Sequence, residues 1–282
     1  TLTLSAEGLA VTGTTVEPWT TLDKGSLTLE KVIPNVSKVY AVKADGSLID
    51  YTTADNSCVG VVLHVTGKDF EQKFMIEKNE TNNTTSIKAA YTEDGATNTE
   101  YQKFYWGMYG SDQSGIPTYN QVGGNSSSWS WGYLPQANGS YYSSSNKLSS
   151  DITTWTSGTA LGDFNGKENT AALLAASDTD SYTTLANMAT WCRIFNQTAT
   201  ENQGYSDWYI PACGQLSLMY LNMTAINNAL TKIGGQTIAS KRYWSSSECS
   251  SGLGWSVYFY NGNVSSYSKD DGNCKVRFVR DF

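Results

Sequence analysis

The sequence predicts an α+β protein, β-rich towards both ends and helical between. Three observations carry this. Asp45-Gly46 and Asn261-Gly262 are strong hairpin turn signals, because their central residues accept positive φ, and each lies beside alternating apolar and polar residues. Leu185, Met188, Ala189, Cys192 and Phe195 recur at helical spacing on one face. With 282 residues, of which 39% are hydrophobic, the chain can bury a core without disulfides or metals.

The elements follow in order. Residues 1–35 read as short strands or an extended arm. Val36–Val42, Val59–Val65 and Phe70–Ile76 read as strands of a small antiparallel module, with turns at Asp45-Gly46 and 66–69. Asp45 and Asp55 flank the first hairpin as turn formers. Residues 79–100 are polar and irregular, so a linker or long loop is expected. Phe104-Tyr105-Trp106, Trp129, Trp131, Tyr133, Tyr141 and Tyr142 lie among Ser, Gly and Asn, a mix resembling an antibody paratope. The competing reading is a long loop whose aromatics pack onto the domain.

Past the first helical stripe, Asp207-Trp208-Tyr209-Ile210-Pro211 reads as a short strand stopped by proline. Leu216, Met219, Tyr220 and Met223 form a second stripe. Ile226, Leu230 and Ile233 form a third segment, capped by Gly234-Gly235. In 255–260, Trp255, Val257 and Phe259 face one way, and Ser256, Tyr258 and Tyr260 face outward. Val276, Phe278 and Phe282 form a closing strand. The division expected is a β-rich module over 1–85 and a second domain over 86–282.

Composition narrows the function. Only 16% of residues are charged and 12% are aromatic, with 9 Trp and 18 Tyr, as in extracellular β-rich binding proteins. A net charge of −7 argues against nucleic-acid binding. No apolar run approaches the ~20 residues that span a bilayer. The one histidine, His64, excludes multi-His metal sites, and any Ser-His or Cys-His scheme must use it. The chain starts at Thr1 without Met, so a trimmed or processed chain is expected. Five cysteines without a CxxC exclude zinc ribbons and thioredoxin-like motifs. Cys58 and Cys192 read as buried hydrophobes, and a Cys249–Cys274 disulfide is open but not required.

Carboxylates offer few sharp sites. Glu248 reads as a structural acceptor holding the loop before Trp255, against a catalytic acid or calcium ligand. Ser245–Ser247 lack a GxSxG elbow. Asp270-Asp271-Gly272-Asn273 lacks the length and closing Glu of a calcium loop and reads as a solvated loop at a binding surface. Asp163, Glu168, Asp178 and Asp180 surround the first helical segment as capping residues. No metal and no cofactor are expected.

Together, Asp207-Trp208-Tyr209-Ile210-Pro211, Tyr243-Trp244-Ser245-Ser246-Ser247-Glu248, Trp255, Phe259, Asn261-Gly262-Asn263-Val264 and Val276-Arg277-Phe278-Val279-Arg280 form an ordered set. The set resembles the C-terminal domain of variable proteins of diversity-generating retroelements, of the kind found in gut Bacteroides and their phages. The resemblance implies a C-type-lectin-type fold with two main helices and a mixed, short-stranded sheet, related to the collagen-like adhesin C-terminal domain and the formylglycine-generating enzyme fold. It is strong over about 155–282, weaker over about 36–135, and absent from the first 35 residues. It implies error-prone reverse transcription of AAC codons into NNC codons, over a variable region at about 243–282. The matching positions are Cys249, Gly252, Leu253, Ser256, Tyr258, Tyr260, Ser265, Ser266, Tyr267, Ser268, Asp270, Asp271, Gly272, Asn273 and Cys274, all residues that NNC can encode. Trp244, Glu248, Trp255, Phe259, Arg277 and Arg280 would be scaffold. The resemblance implies a non-enzymatic protein that presents a hypervariable face to a protein or glycan ligand on a target cell, from a bacterial surface or a phage virion. Phage members would favour a trimer; homo-oligomerisation is otherwise left open. The alternatives are a fixed-specificity surface or fimbrial-tip adhesin and, from another class, an enzyme of the formylglycine-generating type or a hydrolase. The Glu-Pro-Asn and Gln-Pro-Asp tripeptides of calcium-dependent sugar binding do not occur, so that activity is not carried over.

Overall fold

Among its described residues the computed structural model has two main antiparallel sheets, of four and five strands, and four α-helices. It describes residues 36–67, 69–80, 104–107, 109–124, 130–178, 187–197, 202–271 and 273–282. It also describes two short strands, β1 (Leu9–Ala10) and β2 (Glu30–Lys31), which pair antiparallel. The expectations for the rest of 1–35, for 81–100, and for Leu185, Asp180 and the Asp178 side chain lie outside the described residues. No described helix is long and apolar enough to cross a membrane.

The Asp45-Gly46 turn joins β3 (Val36–Val42) to β4 (Leu48–Asp50). Gly46 takes φ +83°, and the Asp45 carboxylate accepts from the Ser47 amide at 2.9 Å and hydroxyl at 2.6 Å. Asp55 holds Ser57 in the same way. Then β5 (Gly60–Gly67) and β6 (Phe70–Ile76) meander back. Along β5, Val61, Leu63 and Val65 enter one apolar cluster and Val62 enters another, so this strand is buried on both faces.

The helices are α1 (Gly166–Asp178), α2 (Met188–Gln197), α3 (Cys213–Leu221) and α4 (Met223–Lys232). The sequence reading had two main helices. The third and fourth are separate because the chain breaks at Asn222, which donates back to the Leu218 carbonyl at 2.9 Å. On α2, Met188, Ala189, Cys192 and Phe195 are buried, as their spacing demands. Gly234, at φ +66°, ends α4, and the Gly235 amide reaches the Leu230 carbonyl at 2.8 Å.

The second sheet holds β7 (Trp131–Tyr133), β8 (Arg242–Ser250), β9 (Leu253–Tyr258) and β10 (Asn263–Ser268), in the order β7-β10-β9-β8. The expected mixed sheet is not found among the described residues: every strand ladder is antiparallel, and parallel pairing there occurs only as isolated bridges such as Tyr105–Asn187. Tight hairpins join β8 to β9 and β9 to β10, and only antiparallel neighbours can be joined that way.

The last strand, β11 (Val279–Asp281), returns to the first sheet and pairs with β6, giving the order β11-β6-β5-β3-β4. Tyr209 and Val279 exchange backbone bonds of 2.7 and 2.9 Å, so the segment read as a strand at 207–211 is a two-bond bridge before Pro211.

Candidate ligand-binding face

The four-stranded sheet has a dry face and a wet face. Tyr243, Val257 and Val264 lie level on β8, β9 and β10, all buried in one core cluster. The opposite face runs in cross-strand rows. Arg242, Tyr258, Asn263 and Tyr133 form one row; Trp244, Ser256, Ser265 and Trp131 form the next. Trp244 is capped by the segment at 104–106: its indole N–H donates to the Phe104 carbonyl at 2.6 Å. Trp106 lies over Gly254, where an added Cβ would stand 2.5 Å from its ring. On the remainder of this face Arg242, Tyr258, Asn263, Tyr133, Ser265 and Trp131 are half-buried and partly open to solvent.

Arg242 organises the open part. Its Nη1 donates to the hydroxyls of Ser256 (3.0 Å) and Ser265 (2.8 Å), and its Nη2 donates to Asn263 Oδ1 at 3.3 Å. The guanidinium lies 5.1 Å from the Tyr258 ring centroid and 4.5 Å from that of Tyr267. A depression of about 370 Å³ is lined by Ser130, Trp131, Tyr133, Arg242, Asn263, Ser265, Ser266 and Tyr267. From its rim a row of rings runs along the surface. Centroid separations are 5.7 Å for Trp131–Tyr133, 5.7 Å for Tyr133–Tyr142, 6.0 Å for Tyr142–Tyr260 and 5.7 Å for Tyr260–Tyr258. Tyr142, Tyr260 and Tyr267 are 54%, 58% and 39% exposed, high for residues of this size.

The structure divides the sequence-derived positions. Tyr258, Tyr260, Ser265 and Tyr267 lie at or beside this face, whereas Ser266 pairs with Trp255 on the core side and its hydroxyl meets Cys249. Gly252 and Leu253 are half-buried at the β8–β9 turn, with Tyr109 packed near Gly252. Ser268 is half-buried and donates to Asp270; Asp270 and Asn273 are exposed, and the Asp271 carboxylate holds the Asn273 amide at 2.9 Å. Gly272 and Trp129 lie outside the described residues. Ser256 needs a correction. It shares the face of Tyr258, as alternation requires, but it is fully buried beneath Arg242 and donates to the Ser265 carbonyl at 2.9 Å. Cys249 and Cys274 are buried too, not surface residues of a solvated loop. Tyr141 is turned away from the row: its hydroxyl donates to the Leu148 carbonyl at 3.0 Å and Lys147 lies over its ring.

All five cysteines are buried and free. Burial raises the thiols of Cys192, Cys213 and Cys249, and pushes Cys274 up to about 12. A neutral, enclosed thiol is a poor nucleophile. Native protein treated with Ellman's reagent at pH 8 is therefore expected to release almost no thiolate within minutes, and all five equivalents after guanidinium is added. Prompt native release would contradict the burial.

Trp244, Glu248, Trp255, Phe259 and Arg277 are fully buried. Glu248 lies in β8, away from the depression. Its carboxylate accepts from the Gln113 amide at 3.0 Å and pairs with Lys269, and its carbonyl takes the Tyr119 amide at 2.9 Å. Lys269 also donates to the Ser111 carbonyl at 2.8 Å, with its ammonium 4.8 Å from the Trp106 ring. Burial raises the Glu248 carboxyl and lowers the Lys269 ammonium from their ordinary values. Arg277 donates to the carbonyls of Glu77 (2.6 Å) and Gln236 (2.9 Å). Arg280 is half-buried and pairs with Asp207 through two bonds, 2.6 and 2.9 Å. Asp163 accepts from the Asn165 amide near the start of α1 and also from the Ser247 hydroxyl at 2.6 Å, which ties that helix to β8. Among the described residues no three His, Cys, Asp or Glu side chains gather as a metal site.

Sequence reasoning missed Arg242, Asn263 and Tyr133 as parts of one face. A signal existed for Arg242: it precedes Tyr243 by one residue, and period two puts it opposite that buried ring. The pairing of β7 with β10, which delivers Tyr133, joins segments far apart in sequence and left no local signal.

No protein-family model matches the chain, and no curated protein matches it. Among solved structures, it is similar to a fimbrial protein from Bacteroides ovatus ATCC 8483, with 16% identity and a TM-score of 0.45 over 86% of this chain and 48% of that one. The chain spans about half the length of that protein.

Proposed function

We propose that this chain is a non-catalytic binding protein of a bacterial surface or phage virion. It uses the open face of the β7-β10-β9-β8 sheet to hold a glycan or protein on a target cell. One observation carries this reading: the unbroken row Trp131–Tyr133–Tyr142–Tyr260–Tyr258, partly exposed, on a sheet whose other face is core. Large, stiff, amphipathic rings give contact area at small entropic cost, and they dominate the energetics of binding surfaces. The test is binding of the labelled protein to intact gut bacterial cells. The Tyr142→Ala/Tyr260→Ala double variant should lose about tenfold or more in affinity at unchanged thermal unfolding. Undiminished binding would remove this face from the function.

The finer reading adds a C-type-lectin-type domain over 86–282 and diversification by a retroelement. The surface positions Tyr258, Tyr260, Ser265 and Tyr267 favour it, since they can change without touching the core. The burial of Cys249, Ser256 and Cys274 favours the second reading, a fixed-specificity adhesin, because larger residues there would strain the packing. Sequencing the encoding locus separates the two. NNC codons at the matching positions beside a near-copy carrying AAC mean diversification; mixed codons without a template mean one specificity.

A further inference from the structure

We infer that the depression around Arg242 binds a carboxylate-bearing saccharide, such as an oligosaccharide ending in a sialic or uronic acid. This rests on the binding reading above and names the ligand class. The first ground is charge. No lining residue of the depression is Asp or Glu, and Arg242 has no ion pair among the described residues, whereas Arg277 and Arg280 each face a carboxylate. In a chain of net charge −7, a half-buried guanidinium without an acid is an electrostatic exception.

The second ground is donor arithmetic. A guanidinium has five N–H groups. Ser256, Ser265 and Asn263 occupy three, leaving the Nε–H and one Nη2–H. The Nε atom has no protein partner among the described residues and is not one of the buried unpaired atoms, so it is open to solvent. Nε and Nη2 form the fork that meets both oxygens of a carboxylate. The three neutral acceptors hold the guanidinium in place without neutralising it. Tyr258 and Tyr267, near the ring-stacking distance, further limit its movement.

The third ground is what surrounds the fork. Asn263 and Ser265 offer small polar groups for sugar hydroxyls, and Trp131 and Tyr133 offer ring faces for the C–H side of a pyranose. A volume of about 370 Å³ is of the scale of a small-ligand site. A peptide carboxylate would use the fork equally but leave the hydroxyl-lined wall unmatched.

The experiment is titration calorimetry on the full chain with 3′-sialyllactose, a glucuronate-ended disaccharide, the same two saccharides with the carboxyl reduced to an alcohol, lactose, and lactose 3′-sulfate. At least one acid saccharide should bind, and its carboxyl-reduced form about tenfold or more weaker, the worth of a charge-assisted hydrogen bond. Arg242→Gln should lose the same factor for the acid form and almost nothing for the reduced form, and added salt should weaken only the acid form. Trp131→Ala, which keeps Arg242, should weaken both forms. Equal binding of acid and reduced forms, binding of the sulfate alone, or no binding of any saccharide overturns this inference. The binding reading stands or falls separately, on whether Tyr142→Ala/Tyr260→Ala abolishes attachment to cells.

Discussion

Replacing Lys269 with methionine will cost the fold about 3–5 kcal/mol at pH 7, a large share of the 5–15 kcal/mol that holds most domains together. Both members of the Glu248–Lys269 pair have fully buried side chains. Without the ammonium, the Glu248 carboxylate keeps only the Gln113 amide as a donor, and the Ser111 carbonyl loses its partner. A buried carboxylate in that position holds its proton, so its folded pKa lies still further above the ordinary 4.5. The unfolded chain then binds fewer protons than the folded one at neutral pH, and stability falls as pH rises through that window. The defect should therefore be large at pH 7 and shrink below pH 4.5. Urea midpoints at the two pH values check this, and a variant within 1 kcal/mol of wild type at pH 7 would sink the idea. The Glu248→Met/Lys269→Met double variant should recover much of the loss, since a matched apolar pair leaves no orphaned charge.

Trp255→Ala will be nearly as damaging, and Tyr260→Ala close to harmless, although the two residues lie five positions apart. Trp255 is fully buried, and its indole N–H donates to the Tyr119 carbonyl at 2.8 Å. Truncation opens a cavity costing about 3–5 kcal/mol and strips the partner from a buried carbonyl. Tyr260 is 58% exposed at the turn after β9, and a surface change of that kind stays within about 0.5 kcal/mol. Chemical denaturation of both variants beside wild type decides it. If Tyr260→Ala also unfolds the protein, the open face is structural and the ligand argument loses its footing.

The parts that were legible in the sequence are those set by local chemistry. Asp45-Gly46 and Asn261-Gly262 form turns because short side chains and glycine accept φ that others resist; Gly262 sits at φ +75°. The stripe on α2 shows because its small and apolar residues Met188, Ala189, Cys192 and Phe195 share one face, although Thr190 and Trp191 beside them are buried as well. The start of β8 did not show. Ser245, Ser246 and Ser247 are fully buried in a strand whose composition reads as a loop. Two of the three hydroxyls find partners elsewhere in the chain: Ser245 donates to the Trp255 carbonyl at 2.9 Å, and Ser247 to Asp163, while the Ser246 hydroxyl has none among the described residues. Arg242 was lost with that strand start, although it is the residue that most shapes the candidate site. Ser256 was placed on the correct face, but no pattern along one strand shows that an arginine from the neighbouring strand covers it.

The pairing of β11 with β6 sets an order on synthesis. Ile76 leaves the ribosome about 200 residues before Val279, an interval of roughly 10–40 s at 5–20 residues per second. Throughout that time the backbone of Phe74, Met75 and Ile76 presents an unmatched ladder, which is the kind of edge that recruits the wrong strand. The β5–β6 hairpin thus waits on a strand made about 200 residues later, and its edge is open to wrong pairing until residues 279–281 arrive.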